Sequence, residues 1–260
     1  LGLPVMLVLF LLFPRLGPLW GLPQDAGAAR TGLSGTLTMG GMAELAGDDR
    51  IAFRVRFDGS PPPPELLYWR GPVLGQFDGR DWRGVEPTEP GLQPTDVVLR
   101  TQGEGLNYEI VVEPSTLTTL PLLEATPARG DAAPRLPGWR IGLTHDLQWR
   151  AERPLNERVQ LRARAYPRFG HGPLEAEPGL DAYRALPVGF NPRTIEWAQA
   201  LQRAQGGRTD AMTLAQAVLA HIRREPFVYT LSPGTYGDER GRHAVDEFWL
   251  DRRAGFCEHY

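Results

Sequence analysis

Hydrophobic and polar positions alternate along much of the chain with the period of a half-buried strand. Ile51, Phe53, Val55 and Phe57 stand against Ala52, Arg54, Arg56 and Asp58, and Gly59 with Pro61 to Pro64 ends the run. Leu66 to Arg70 restarts a strand that Gly71-Pro72 turns. Phe77-Asp-Gly-Arg-Asp-Trp82 sets aromatics on both sides of an Asp-Gly pair, which signals a hairpin. Tyr108, Ile110 and Val112 alternate again before Pro114, and Val159, Leu161, Ala163 and Ala165 oppose Arg158, Gln160, Arg162 and Arg164. Short strands with Gly/Pro turns and no helical period predict a β-rich sandwich or barrel over residues 35–170. Its acids and arginines read as a solvated face. The aromatics Tyr68, Trp69, Phe77 and Trp82 read as one core cluster in preference to a ligand groove, with Arg70 and Arg80 ion-paired beside it.

The period changes over residues 173–260. Asn191-Pro192 predicts an N-cap and a first-turn proline, Ile195, Ala198 and Leu201 keep helical spacing, and Gly206-Gly207 closes the helix. Thr209 or Asp210 caps a second helix, with Met212, Ala215, Leu219 and Ile222 on one face and Arg223-Arg224 before Pro226. His221 on that helix reads as a polar-edge residue. Phe227 to Leu231 reads as extended, a Gly-rich loop follows through Arg242, and Ala244 to Leu250 lead on towards Cys257. The fold class is therefore α+β.

The chain opens on an uncharged apolar run, Leu1 to Phe13. It falls short of the ~20 residues that cross a bilayer, but it starts without a Met and reads as the end of a transmembrane helix. A signal-peptide core with Ala26-Gly27-Ala28 as cleavage site, or a buried helix, are the alternatives. Residues 1–30 are thus the end of a membrane helix and a linker, with Trp20 suited to the lipid–water interface. Either of the first two readings puts the rest outside the cytoplasm or against a membrane.

Composition narrows the classes further. The net charge is −3, and all 28 basic residues are arginine, scattered without a patch, so nothing supports nucleic-acid binding. A single cysteine forbids an internal disulfide. The five histidines stand at no metal-ligand spacing, and none is assigned to chemistry.

That cysteine, Cys257, follows Ala254-Gly-Phe256, and Cys257 to Tyr260 reads as the first turn of a helix. Phe256 offers an apolar plug. A thiol at a helix N-terminus meets unpaired N–H groups and the positive dipole end, which favour the nucleophilic thiolate. A lone cysteine acting as a small buried hydrophobe is the alternative. His259 does not serve as its base, because two residues on a helix are about 200° apart.

Phe227-Val-Tyr-Thr-Leu-Ser-Pro233, Val245-Asp-Glu-Phe248 and Arg252-Arg-Ala-Gly-Phe-Cys257-Glu-His-Tyr260 resemble the approach to the nucleophile of bacterial transglutaminase-like proteins, most closely the TgpA-type, membrane-anchored branch. Phe53-Arg-Val-Arg-Phe-Asp-Gly59, Leu67-Tyr-Trp-Arg-Gly-Pro72, Phe77-Asp-Gly79 and Trp82 resemble the β-rich region ahead of that branch's catalytic domain. The resemblance implies that residues 173–260 are the helical first half of a papain-like transglutaminase domain with Cys257 as nucleophile, its His and Asp following residue 260. It also implies an anchor in the bacterial inner membrane, a periplasmic soluble region, and no metal or organic cofactor. The implied substrates are a protein or peptide glutamine and an amine acceptor, joined through a Cys thioester. A cell-envelope cysteine peptidase or amidase, or an inactive binding or scaffold module, are the alternatives on the same fold.

Overall fold

The computed structural model describes residues 35–38, 49–85, 97, 99–173, 175, 178–207, 210–238 and 241–260. The apolar run Leu1 to Phe13 and the linker behind it lie outside the described residues, so the membrane-helix reading is untouched. Among the described residues, no helix is long and apolar enough to cross a membrane.

The first strands are β1 (Thr36–Thr38), β2 (Phe53–Phe57), β3 (Trp69–Arg70), β4 (Gln76–Phe77) and β5 (Asp81–Arg83). After them come β6 (Arg100–Gln102), β7 (Leu106–Val112), β8 (Thr119–Leu120), β9 (Leu122–Leu123) and β10 (Ile141–Leu143). β11 (Trp149–Ala151), β12 (Val159–Ala165) and β13 (Arg168–Gly170) complete the sheet-rich part. The longest antiparallel ladder runs β12-β7-β2, pairing Leu161 with Ile110 and Ile110 with Val55. Tyr108, Ile110 and Val112 are buried, as are Val159, Leu161, Ala163 and Ala165, so the sequence alternation reports the inward face correctly. A second sheet, β10-β11-β8, contributes Leu143, Trp149, Ala151 and Leu120 to the same hydrophobic cluster.

Two antiparallel sheets that feed one hydrophobic core bear out the expectation of a β-rich region. Among the described residues the strands form small open sheets, the longest strands being β7 and β12. Arg54, Arg56 and Arg162 point outward and pair with Glu113, Glu109 and Asp58, the solvated face expected.

The segment before β3 is corrected. Pro64–Leu66 winds a 3-10 turn, and only Trp69–Arg70 pairs, with β9. Prolines supply the turn's backbone angle and cannot donate to a ladder. The expected aromatic cluster divides in two. Trp69 packs on Phe53 and Tyr108 at 5.1 and 5.6 Å, Phe77 stacks on Trp82 at 4.9 Å in the β4–β5 hairpin, and Tyr68 is exposed. Arg70 is ion-paired to Glu124, a structural role.

The hairpin does turn at Asp78-Gly79. The Asp78 carboxylate accepts the Arg80 and Asp81 N–H groups at 3.0 and 2.8 Å, and Gly79 takes φ 106°. A Cβ on Gly79 would stand 2.2 Å from the Phe190 ring, so the turn lies directly against the segment leading into the helices.

That helical part comprises α1 (Pro192–Ala204), α2 (Ala211–Arg224), β14 (Val228–Tyr229), α3 (Ala244–Asp246) and β15 (Ala254–Gly255). Gly206 and Gly207 adopt positive φ and return hydrogen bonds to Arg203 and Gln202, ending α1 as expected. Asp210 caps α2 by accepting the Thr213 N–H at 3.0 Å. The apolar stripe of α2 does not form a core: Met212 and Leu219 are exposed.

Candidate active site around Cys257

The chain reaches Cys257 through a helix that changes pitch. Asp246 ends α3, and Glu247–Arg252 continue as a π-helical turn closed by the Arg253 N–H on the Phe248 carbonyl at 2.9 Å. Arg253 then takes φ 52°, an uncommon angle for a side-chain-bearing residue, and the direction of the chain reverses into β15. Its guanidinium is fastened to Glu225 at 2.9 Å. β15 lies parallel to β14, with the Val228 and Thr230 N–H groups donating to the Arg253 and Gly255 carbonyls at 2.8 Å each.

Side chains on both flanks hold this approach. Arg252 donates to the Thr235 carbonyl at 2.7 Å and to that of Pro233, with its guanidinium 4.0 Å over the Tyr236 ring. The Tyr236 hydroxyl donates to the Ala254 carbonyl, and the Gly237 N–H reaches the Glu247 carboxylate at 3.1 Å. Gly255 is required by space: a Cβ there would sit 2.6 Å from Phe248 and 2.8 Å from His259.

Beneath the thiol lies an aromatic core. Phe248, Trp249 and Phe256 are buried, which bears out Phe256 as a plug, and Phe227 packs against Phe248, Trp249 and Tyr260 at 5.7, 5.1 and 6.1 Å. His221 belongs to it, stacked on Trp249 at 5.3 Å and against Trp197 at 4.9 Å. This corrects its reading as a polar-edge residue, and burial lowers its pKa. Trp249 is the anchor that sequence reasoning missed; its spacing from Trp197 and Phe227 reveals nothing before the chain folds.

Cys257 itself is exposed, which removes the small-hydrophobe alternative. Cys257 to His259 form a turn in which the His259 N–H donates to the Phe256 carbonyl at 2.9 Å. The expected depression of the thiol pKa is corrected. Partial desolvation and then the Glu258 carboxylate raise it, outweighing the Glu258 and Cys257 N–H groups that pull it down.

His259 is buried beside Phe248 and Tyr236 at 5.2 and 5.0 Å, and burial lowers its pKa. Its Nδ1 accepts the Phe256 N–H at 3.2 Å, so the ring is engaged with the chain ahead of the thiol. His243 faces Asp246 at 3.5 Å. Among the described residues, no group of three or more His, Cys, Asp or Glu is arranged to hold a metal ion. A groove of about 640 Å³ lies elsewhere, beside β7 and β12 between Glu109, Gln160, Arg162, Asp131 and Arg135.

A sheet-rich body followed by helices that present one exposed thiol on a clamped turn defines a mixed, sheet-dominated class. The chain belongs to the TgpA N-terminal domain family, whose model matches residues 1–169. It is 35% identical over 265 residues to a protein-glutamine gamma-glutamyltransferase of Pseudomonas aeruginosa, covering all of this chain and 36% of that relative. Two crystal structures of the periplasmic domain of TgpA from Pseudomonas aeruginosa, one of them bound to ethylmercury, superpose with a TM-score of 0.72 at 31% identity. The match covers 88% of this chain and 74–75% of those chains.

Proposed function

We propose that this chain is the sheet-rich periplasmic region and the nucleophile-bearing segment of a membrane-anchored, transglutaminase-like cysteine acyltransferase. The observation that carries the proposal is Cys257: exposed, on a turn whose approach is clamped on both flanks. Similarity to a gamma-glutamyltransferase across the whole chain supplies the reaction class. The curated relative is nearly three times longer, so the full reaction is assigned to the longer protein. Residues 173–260 serve as the first half of a papain-like domain, and residues 1–30 carry the end of an inner-membrane helix.

In this reading the Cys257 thiolate attacks the side-chain carboxamide carbon of a protein glutamine. The tetrahedral adduct collapses to a thioester and ammonia, the leaving nitrogen taking its proton from a histidine that follows residue 260. A primary amine then attacks the thioester, forming a new amide and returning the thiol; water in its place yields glutamate. Because the thiol is raised, that histidine also has to take the Cys257 proton. In this reading the main-chain N–H of Cys257 helps to hold the oxyanion. This chain contains no lysine, so a lysine amine acceptor belongs to another protein or another part of the molecule.

The test is incorporation of a labelled primary amine into a glutamine-bearing protein by the full-length enzyme. Cys257→Ala abolishes it if the proposal holds, and turnover that survives the substitution overturns it. Product analysis with and without amine separates transfer from deamidation and from peptide cleavage.

A further inference from the structure

His259 is a buried titratable side chain to which the acyl-transfer chemistry assigns no task. Its Nδ1 accepts the Phe256 N–H at 3.2 Å, while its own main-chain N–H donates to the Phe256 carbonyl at 2.9 Å. The residues on either side of Cys257-Glu258 therefore bind each other twice, once through a side chain and once through the backbone. Acceptance at Nδ1 places the proton of the neutral imidazole on Nε2. Among the described residues that nitrogen is buried without a hydrogen-bond partner, and Nδ1 and packing hold the ring. The side chain is shut off from solvent, with Phe248 at 5.2 Å and Tyr236 at 5.0 Å. Burial favours the neutral, accepting form, against the nearby Glu258 carboxylate.

We infer that His259 is the positioning residue of the nucleophile turn: its Nδ1, by holding the Phe256 N–H, fixes the turn that carries the Cys257 thiol. The Cys257 and Glu258 N–H groups of that turn draw the thiol towards thiolate against desolvation and the Glu258 charge. The tip of the turn is exposed at Cys257, while Phe256 ahead of it is buried and the His259 ring behind it is embedded among Phe248 and Tyr236. The consequence for turnover rests on the acyl-transfer reading; the consequence for thiol reactivity does not.

Asparagine and glutamine separate the two ring nitrogens. The Asn Oδ1 falls near the position of Nδ1 and the Gln Oε1 near that of Nε2, and neither amide carries a proton in catalysis. The measurement is the rate of Cys257 alkylation by iodoacetamide in the intact protein as a function of pH, read by mass spectrometry at that residue. His259→Asn stays within about threefold of the parent, while His259→Gln and His259→Ala slow alkylation by about tenfold as the turn loosens. Thermal denaturation checks each variant, and if His259→Ala does not fold the Asn/Gln pair decides. Equal rates for Asn and Gln overturn the inference, as do parental rates in all three. In turnover, His259→Gln lowers kcat with KM little changed and His259→Asn keeps the acid limb of the pH profile; loss of that limb makes His259 the base and overturns it. Should the alkylation pattern appear while even the parent transfers no acyl group, the acyl-transfer reading fails and the positioning role stands.

Discussion

Asn191 and Asp246 cap each other's helices. The Asn191 side-chain oxygen accepts the Val245 and Asp246 N–H groups of α3 at 2.9 and 3.4 Å. In return the Asp246 carboxylate accepts the Thr194 and Arg193 N–H groups of α1 at 2.7 and 3.3 Å, with the Thr194 hydroxyl at 2.7 Å. Both side chains are buried. Asn191 stands at the N-cap of α1 with Pro192 behind it, as the sequence suggests, but at φ 47° its side chain serves the other helix. The exchange joins the first helix of this part to the one that leads into Cys257.

Breaking either half of the exchange should loosen the site before it touches the chemistry. Asn191→Ala is expected to cost about 1 kcal/mol, the usual worth of a cap. Asp246→Ala is expected to cost about 2–3 kcal/mol, because it strands buried N–H groups at a helix start. The double variant loses less than the sum, since both belong to one motif. Urea denaturation of the four proteins measures the cycle, and strict additivity would show that the caps are independent.

The same carboxylate sets an acid limit. Burial works against its ionisation, but the Thr194 hydroxyl and N–H, the Arg193 N–H and His243 overcome that and hold Asp246 below the usual carboxylate range. A depressed pKa means that the folded state binds the proton less readily than the unfolded chain does. The stabilisation is therefore complete above the ordinary carboxylate pKa and is lost as pH falls through the lower, folded value. Asp246→Asn should flatten that part of the stability–pH curve, which thermal melts in a pH series would show.

Tyr108 makes the opposite prediction at high pH. Burial pushes its phenol up to about 12, against the Thr126 and Leu123 hydrogen bonds that lower it. The folded state favours the neutral phenol, so this contribution is full below the ordinary phenol value and fades as pH rises through about 12. Its oxygen accepts the buried Leu123 N–H at 3.0 Å. Tyr108→Phe leaves that donor unmet and should cost about 1–3 kcal/mol in denaturant unfolding.

Glu258 restrains the thiol. Its charge is the second influence raising Cys257, after desolvation, while its N–H works in the other direction. Glu258→Gln keeps the backbone donor and removes the charge. Alkylation of Cys257 near neutral pH should accelerate about threefold, with the midpoint of its pH dependence moved down. An unchanged midpoint would mean that desolvation alone sets the thiol.

Several features were legible in residue order because they depend on local period or local backbone chemistry. The inward faces of β7 and β12 follow from strict alternation of Tyr108, Ile110, Val112 and of Val159, Leu161, Ala163, Ala165. The Asp78-Gly79 turn and the Asp210 cap follow from side chains that bond within three residues of themselves. Pro61 to Pro64 marked the end of β2, but not the 3-10 turn that replaces the start of the next strand.

By itself, then, the sequence determined a sheet-rich body, two helices of which the second carries its own Asp210 cap, and a single thiol behind Gly255-Phe256, all from patterns that neighbouring residues impose on one another. Tertiary structure decided the rest, because the partners are far apart along the chain. Asn191 meets Val245, Arg253 meets Glu225, and His221 joins Trp197 and Trp249 only once the helices pack. The state of Cys257 was decided in the same way. The sequence placed it behind a glycine and an apolar plug, but its net desolvation, the Glu258 charge and the His259 clamp exist only when Phe248 and Tyr236 close round the turn. A pKa is the sum of such surroundings, and residue order alone does not contain them.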